Sequence, residues 1–191
     1  PGLVTRAPEG QLSSNEFREG ARVLARMGMV LETTANFRQL AELAEFARAV
    51  PDLTIVSNHI GGLNRTGPYA NRDDEVLPAW RSGIAATAQC PNVIIKLGGI
   101  GMARTGFDWH ERDQPVGSEE MAESMAPIMN YCIEQFGPNR SMFESNFPVD
   151  KVSFSYNVMY NAFKRMSKSY SPTERAAMFH DTANRVYRID V

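Results

Sequence analysis

Three segments of this chain share one design, and that design narrows the folds open to it. Leu53-Thr54-Ile55-Val56-Ser57-Asn58-His59-Ile60-Gly61-Gly62, Asn92-Val93-Ile94-Ile95-Lys96-Leu97-Gly98-Gly99 and Met142-Phe143-Glu144-Ser145-Asn146-Phe147-Pro148 each begin as a near-continuous apolar run. Such runs suit strands buried on both faces, the habit of parallel sheets. Each delivers an ionisable or amide side chain at its C-terminal end and then breaks into glycine or proline. Parallel strands that present polar groups at their carboxyl ends, with long loops after them, are how α/β enzymes build a site.

Helical patterns separate the runs. Phe17, Ala21, Leu24 and Ala25 recur at helical spacing after a capping box at Ser13 and Glu16, and Gly28 supplies a left-handed stop. Met29 to Glu32 reads as a short strand, and Phe37, Leu40, Leu43, Ala44 and Ala47 line a helix that Pro51 ends. Further helices are expected from about Glu75 to Gln89, from a cap at Ser118 to Phe136, along Val152 to Phe163, and from a capping box at Ser171 and Glu174. The stretches from Gly61 to Asp74 and from Gly98 to Gly117 carry no apolar period and read as long loops. Strand and helix alternate, so the class is α/β with a parallel sheet. The pattern holds four strands, or five if Leu3 to Arg6 ends another. A (β/α)₈ TIM barrel has eight strands and about 250 residues, so as a barrel the chain lacks its N-terminal strands. A doubly wound open sheet is the rival, but no glycine-rich phosphate loop joins a strand to a helix.

The totals bound the function. At 191 residues the chain is expected to form a single domain, residues 1–191, and 43% apolar with 22% charged residues is ordinary for a globular protein. A net charge of −2 gives no bulk attraction to nucleic acid or an anionic membrane. No apolar run approaches the roughly 20 residues of a membrane span, and the first residues do not read as a signal peptide. Cys90 and Cys132 make neither a disulfide framework nor a metal-type spacing and read as buried thiols, which fits a cytoplasmic location.

At Asn58-His59-Ile60-Gly61, Lys96-Leu97-Gly98-Gly99 and Met142-Phe143-Glu144-Ser145-Asn146-Phe147-Pro148 the chain resembles the late strands of the amidohydrolase-2 family. That family comprises barrel-shaped metal-dependent hydrolases, sugar-lactone lactonases and aromatic-acid decarboxylases. Ala183-Asn184-Arg185-Val186-Tyr187 is similar to the family's closing helix, and Val4-Thr5-Arg6 to the end of its fourth strand. The resemblance implies one divalent metal, zinc or manganese, with His59 as a ligand. Two departures weigh against that metal. The chain contains no His-x-His pair of the kind the family carries on its first strand, and Asn146 stands where the family has an aspartate. An amide is a poorer ligand for a divalent ion than a carboxylate, and it accepts no proton at neutral pH.

The residues then divide by role. His59 can polarise a carbonyl, move a proton or bind metal, or be a histidine satisfied at the barrel rim. Glu144 lies two residues before Asn146, so strand alternation aims both to one side. Glu144 is then the candidate base, or else a buried acid paired with Lys96 or an arginine. Asn146 can bind a substrate oxygen as amides do in oxyanion sites. Lys96 and Arg6 can neutralise or anchor negative charge, while Arg65, Tyr69, Arg104 and Trp109 sit in the long loops where a substrate lid would form. Asp150, past the proline, reads as a surface charge. The function expected is hydrolysis of an ester, lactone or amide bond in a small anionic or hydroxylated substrate. The alternatives are a non-oxidative decarboxylase on the same barrel, and a non-catalytic fragment that binds a ligand or partner chain. The expected partners are a small molecule and either a second copy of the chain or an N-terminal segment.

Overall fold

The computed structural model describes residues 10–189. Leu3 to Arg6, and with them the Arg6 candidate, lie outside the described residues. Four strands form one sheet in the order β1-β2-β3-β4: β1 Val30–Thr33, β2 Thr54–Ser57, β3 Val93–Leu97 and β4 Ser141–Phe143. All three pairings are parallel, with Leu31 opposite Ile55, Val56 opposite Ile94, and Lys96 opposite Met142. Each strand pairs with the next in sequence, the progression of a barrel wall rather than of a sheet that reverses its order.

Helices fill the connections: α1 Asn15–Arg26, α2 Leu40–Ala49, α3 Asp73–Ala88, α4 Ser118–Phe136, α5 Tyr156–Met166, α6 Pro172–Ala176 and α7 Thr182–Tyr187. Ser14 rather than Ser13 caps α1, accepting from Phe17 N, because Ser13 donates instead to Glu42 through its backbone N–H and hydroxyl. Gly117 rather than Ser118 precedes α4, and α5 starts at Tyr156 because Ser155 supplies the cap. The capping box at Ser171 and Glu174 forms as its spacing predicts. No described helix is long and apolar enough to cross a membrane.

Strand alternation sorts the side chains into two cores. Ile55, Val93, Ile95, Leu97 and Phe143 face the helices and join the large core with Leu40, Phe46, Trp80, Met129 and Phe163. Val56, Ile94 and Met142 face the other way, against Val186, Ala183 and Tyr187 near the C-terminus. Cys90 and Cys132 are buried and free. The amino ends of the strands are tied by side chains that satisfy backbone carbonyls. Asn92 Nδ2 lies 3.0–3.1 Å from the carbonyls of Ala47, Val50 and Leu53, and Arg140 donates to those of Ala88, Cys90 and Val93. Buried carbonyls left unpaired would each cost about 1–3 kcal/mol, so this end is built for stability.

Candidate functional site

On the second face the alternation that ends in Val30, Val56, Ile94 and Met142 continues one step further to Glu32, Asn58, Lys96 and Glu144. Four strands therefore deliver four polar side chains to the carboxyl end of the sheet. Lys96 Nζ is 2.9 Å from Glu32 Oε2 and 3.9 Å from Glu144 Oε2. Asn58 Nδ2 and the Tyr187 hydroxyl also donate to Glu32, at 3.3 and 2.5 Å. Burial would raise the Glu32 carboxyl, but the hydrogen bonds from Tyr187 and Lys96, with the lysine charge, outweigh it and hold the group below its usual value. The Lys96 ammonium also lies 5.5 Å from the centre of the Tyr187 ring.

His59 meets this cluster through Glu144. Its Nδ1 is 2.6 Å from Glu144 Oε1, and its backbone N–H donates to the same oxygen at 3.2 Å. Both side chains are largely covered, at 17% and 14% exposure. The backbone that presents His59 is unusual. His59, Ile60, Gly61 and Gly62 all have positive φ, at 54°, 50°, 66° and 67°, making one left-handed turn directly after β2. L-residues pay roughly 1–2 kcal/mol each for that hand. The buried indole of Trp80 holds the turn, donating from Nε1 to Ile60 O at 2.8 Å. Gly62 is obligatory, since a Cβ there would sit 1.8 Å from Ala35 O. Room for the pair itself comes from Gly98 and Gly99. A Cβ on Gly98 would lie 2.3 Å from Glu144 Cγ, and one on Gly99 would lie 2.7 Å from His59 Cγ and Nδ1.

Asn146 does not continue the alternation of β4. The strand ends at Phe143, and Asn146 turns left-handed at φ 52°. Its Nδ2 donates to Asp150 Oδ1 at 2.7 Å. Asp150, expected at the surface, is fully buried, because the turn after Pro148 folds its carboxyl back under the loop that follows β3. Burial pushes its carboxyl up, opposed by the Gly101 N–H, the Asn146 amide and the charge of His59. Arg104 faces the charges of Asp150 and Glu144, yet burial lowers its guanidinium, and its Nε has no hydrogen-bond partner among the described residues.

The other loop candidates are committed elsewhere. Arg65 makes a two-pronged pair with Asp73 at 2.9 and 2.5 Å, anchoring the loop to the start of α3. Trp109 is buried and stacked on Phe107 with ring centres 4.4 Å apart, and Tyr69 packs edge-on against Phe37. These three brace the long loops rather than line the His59–Glu144 pair. Sequence reasoning misses Glu32 and Tyr187. Glu32 does carry a signal, since β1 ends in a charge just as the other strands do. Tyr187 carries none, because only the return of α7 across the inner face brings it there.

A metal requires converging donors. Among the described residues no group of three His, Cys, Asp or Glu side chains is placed to hold an ion. His59 has one ring nitrogen committed to Glu144, and Asn146 is turned to Asp150. The described residues alone do not fit the metal that the resemblance implies.

A run of parallel neighbours whose carboxyl ends carry His59, Lys96 and Glu144 defines an α/β barrel-wall protein with its polar cluster at the strands' C-terminal rim. The chain belongs to the amidohydrolase family, whose model matches residues 3–189. It is 37% identical over 189 residues to the uncharacterized protein y4mH of Sinorhizobium fredii, covering 98% of this chain and 57% of that protein. It is 27% identical over 175 residues to L-fucono-1,5-lactonase of Burkholderia multivorans, covering 91% and 56%. The chain thus spans little more than half the length of these relatives. Among solved structures it resembles a zinc-bound amidohydrolase of Burkholderia multivorans, with a TM-score of 0.79 and 26% identity over 94% of this chain and 59% of that one. An amidohydrolase from Bifidobacterium longum matches at TM-score 0.65 and 26% identity, over 97% and 60%. Covering about three-fifths of such structures is what part of a barrel would do.

Proposed function

We propose that the intact protein hydrolyses the ester bond of a small hydroxylated or anionic lactone, with His59 as the proton-transfer group. The reading treats residues 1–191 as one domain acting on a small molecule. The observation that carries it is the 2.6 Å His59–Glu144 pair, set at the carboxyl ends of parallel strands beside Lys96. Lactonase relatives at low identity support the class of substrate.

The pair suggests a division of labour different from the one expected of the sequence. Glu144 Oε1 faces two nitrogens of His59 and Oε2 faces Lys96. A carboxylate so engaged orients the imidazole rather than acting as the base. With a proton on Nδ1 directed at Glu144, the lone pair of Nε2 is left for chemistry. Nε2 takes a proton from water as the water oxygen bonds to the carbonyl carbon, and the carbonyl electron pair moves onto its oxygen. Lys96 and Arg104 supply the positive charge that this oxyanion needs. Collapse breaks the ring C–O bond, and the imidazolium returns its proton to the leaving alkoxide. One water has then been added across the ester.

The test is a panel of five- and six-membered sugar-acid lactones, followed by acid release in weak buffer. The intact protein should accelerate opening of at least one. Glu144→Gln should lower turnover about 10²-fold or more, as when the carboxylate that orients a catalytic imidazole is lost. No acceleration with any lactone, or unchanged turnover in Glu144→Gln, refutes the reading.

A further inference from the structure

Two loops at the carboxyl end of the sheet are joined by one buried acid. Asp150 Oδ2 accepts from Gly101 N–H at 3.0 Å, and Oδ1 is 2.7 Å from Asn146 Nδ2. Asp150 N–H donates to Asn146 O at 3.2 Å, and Ser153 Oγ donates to Gly101 O at 2.6 Å. Gly101 lies close against the acid, since a Cβ there would fall 2.8 Å from Asp150 Cβ. The group of Asn146 that faces the acid is its NH₂, which donates to Asp150 Oδ1. Asn146 Oδ1 is therefore turned away from Asp150, and it accepts no hydrogen bond from any described residue. The left-handed backbone of Asn146 keeps the side chain in this pose rather than along the strand. The loop after β3 packs against all three groups in turn: Cβ atoms on Gly98, Gly99 and Gly101 would fall within 3 Å of Glu144, His59 and Asp150, so the acid and its amide partner sit at the same end of the sheet as the candidate dyad.

We propose that Asn146 binds a hydroxyl group of the substrate through Oδ1, and that Asp150 is the positioning residue that holds the amide in the accepting orientation. The inference rests on the hydrolase reading for its substrate class. It reverses the role the sequence suggested for Asn146, an N–H donor to an oxyanion. A fixed acceptor selects ligands with an O–H to give, as a polyhydroxylated sugar acid or its lactone has, and penalises analogues without it.

Two substitutions test this. In Asp150→Asn, the new Oδ1 still accepts from Gly101, and the new NH₂ faces Asn146. The Asn146 amide must then turn over and offer N–H groups to the substrate. KM for the hydroxylated lactone should rise about ten- to hundredfold, the effect of leaving a polar group mispaired. The melting temperature should stay within a few degrees. The swap Asn146→Asp/Asp150→Asn restores a donor–acceptor pair and an outward acceptor, so it should recover most of the lost affinity. A lactone lacking the bound hydroxyl should show little difference between wild type and Asp150→Asn. An unchanged KM in Asp150→Asn, an equal rise for every deoxy analogue, or a swap no better than the single variant overturns the proposal. Calorimetric binding of the corresponding hydroxy acids reads the same contact without turnover. Binding that is sensitive to Asp150→Asn, with no hydrolysis, supports the contact and refutes only the hydrolase reading. Failure to bind any hydroxylated ligand overturns the contact itself.

Discussion

Gly99→Ala puts the packing of the candidate site to a direct test. Gly99 has φ 68°, so any side chain there meets the left-handed penalty, and its Cβ would fall 2.7 Å from His59 Cβ, Cγ and Nδ1. Gly67 has nearly the same backbone, φ 61°, and a Cβ there would meet nothing within 4 Å. Gly67→Ala therefore measures the backbone effect alone, about 1–2 kcal/mol. Gly99→Ala adds overpacking of a largely covered ring, about 1–3 kcal/mol more. At about 2–4 °C per kcal/mol for a protein of this size, Gly99→Ala should melt roughly 4–20 °C lower than wild type, and Gly67→Ala only about 2–8 °C lower. Chemical denaturation of the intact protein with both variants gives the difference, and lactone turnover reports whether the displaced imidazole still meets Glu144. Turnover should fall in Gly99→Ala and hold in Gly67→Ala. Equal stability losses in the two variants would show that the approach of Gly99 to His59 is not a constraint, and the account of the paired glycines would be wrong.

Trp80→Phe removes the only described side-chain donor to Ile60 O and should cost about 1–3 kcal/mol, read by denaturant midpoint, with an accompanying loss of turnover as the left-handed turn loosens. Arg65→Met removes the two-pronged pair with Asp73. It should lower stability by only about 1 kcal/mol, because Asp73 is substantially exposed, and leave KM unchanged; a large KM effect would return Arg65 to the substrate site. Stability against pH should carry two opposite signs. Asp73 is held low by the Arg65 hydrogen bonds, and Glu32 is held low against burial by Tyr187 and Lys96. Their contributions are present above the usual carboxylate range and are lost as pH falls through their depressed values. Asp150 is raised by burial, so the folded state holds its proton more tightly than the unfolded one. Its contribution is present at low pH and lost as pH rises through the raised value. Relative to wild type, Asp150→Asn should therefore gain stability across the window just above the ordinary aspartate value, and a pH-independent difference would contradict this.

Much of the site is legible in the sequence because strand alternation is a local rule. Once Val56, Ile94 and Met142 face inward, Asn58, Lys96 and Glu144 must follow on the same face. The rule fails where the strand stops. The same period of two places Asn146 beside Glu144, but β4 ends at Phe143, and the left-handed turn at Asn146 carries its amide to Asp150. Asp150 escapes local reasoning for a related cause: a charged residue after a proline usually faces water, and nothing nearby in the chain tells that Gly101 and Asn146 will satisfy it in the interior.

By itself the sequence determined the order of elements, the parallel class of the sheet, the paired glycines after two of the apolar runs and the family. These depend on periodicity, on turn chemistry and on residues close together along the chain. Only the tertiary structure decided which polar groups pair. Lys96 could have met Glu144, an arginine or solvent, and it meets Glu32 most closely, while Glu144 goes to His59. Arg65 could have met any acid within reach and Trp109 any ring, and it is Asp73 and Phe107 that they meet. Such choices turn on differences of a few ångströms between groups far apart in sequence, at distances where a charge pair changes from strong to negligible. Those distances are set when the strands and helices pack, and no local pattern carries them.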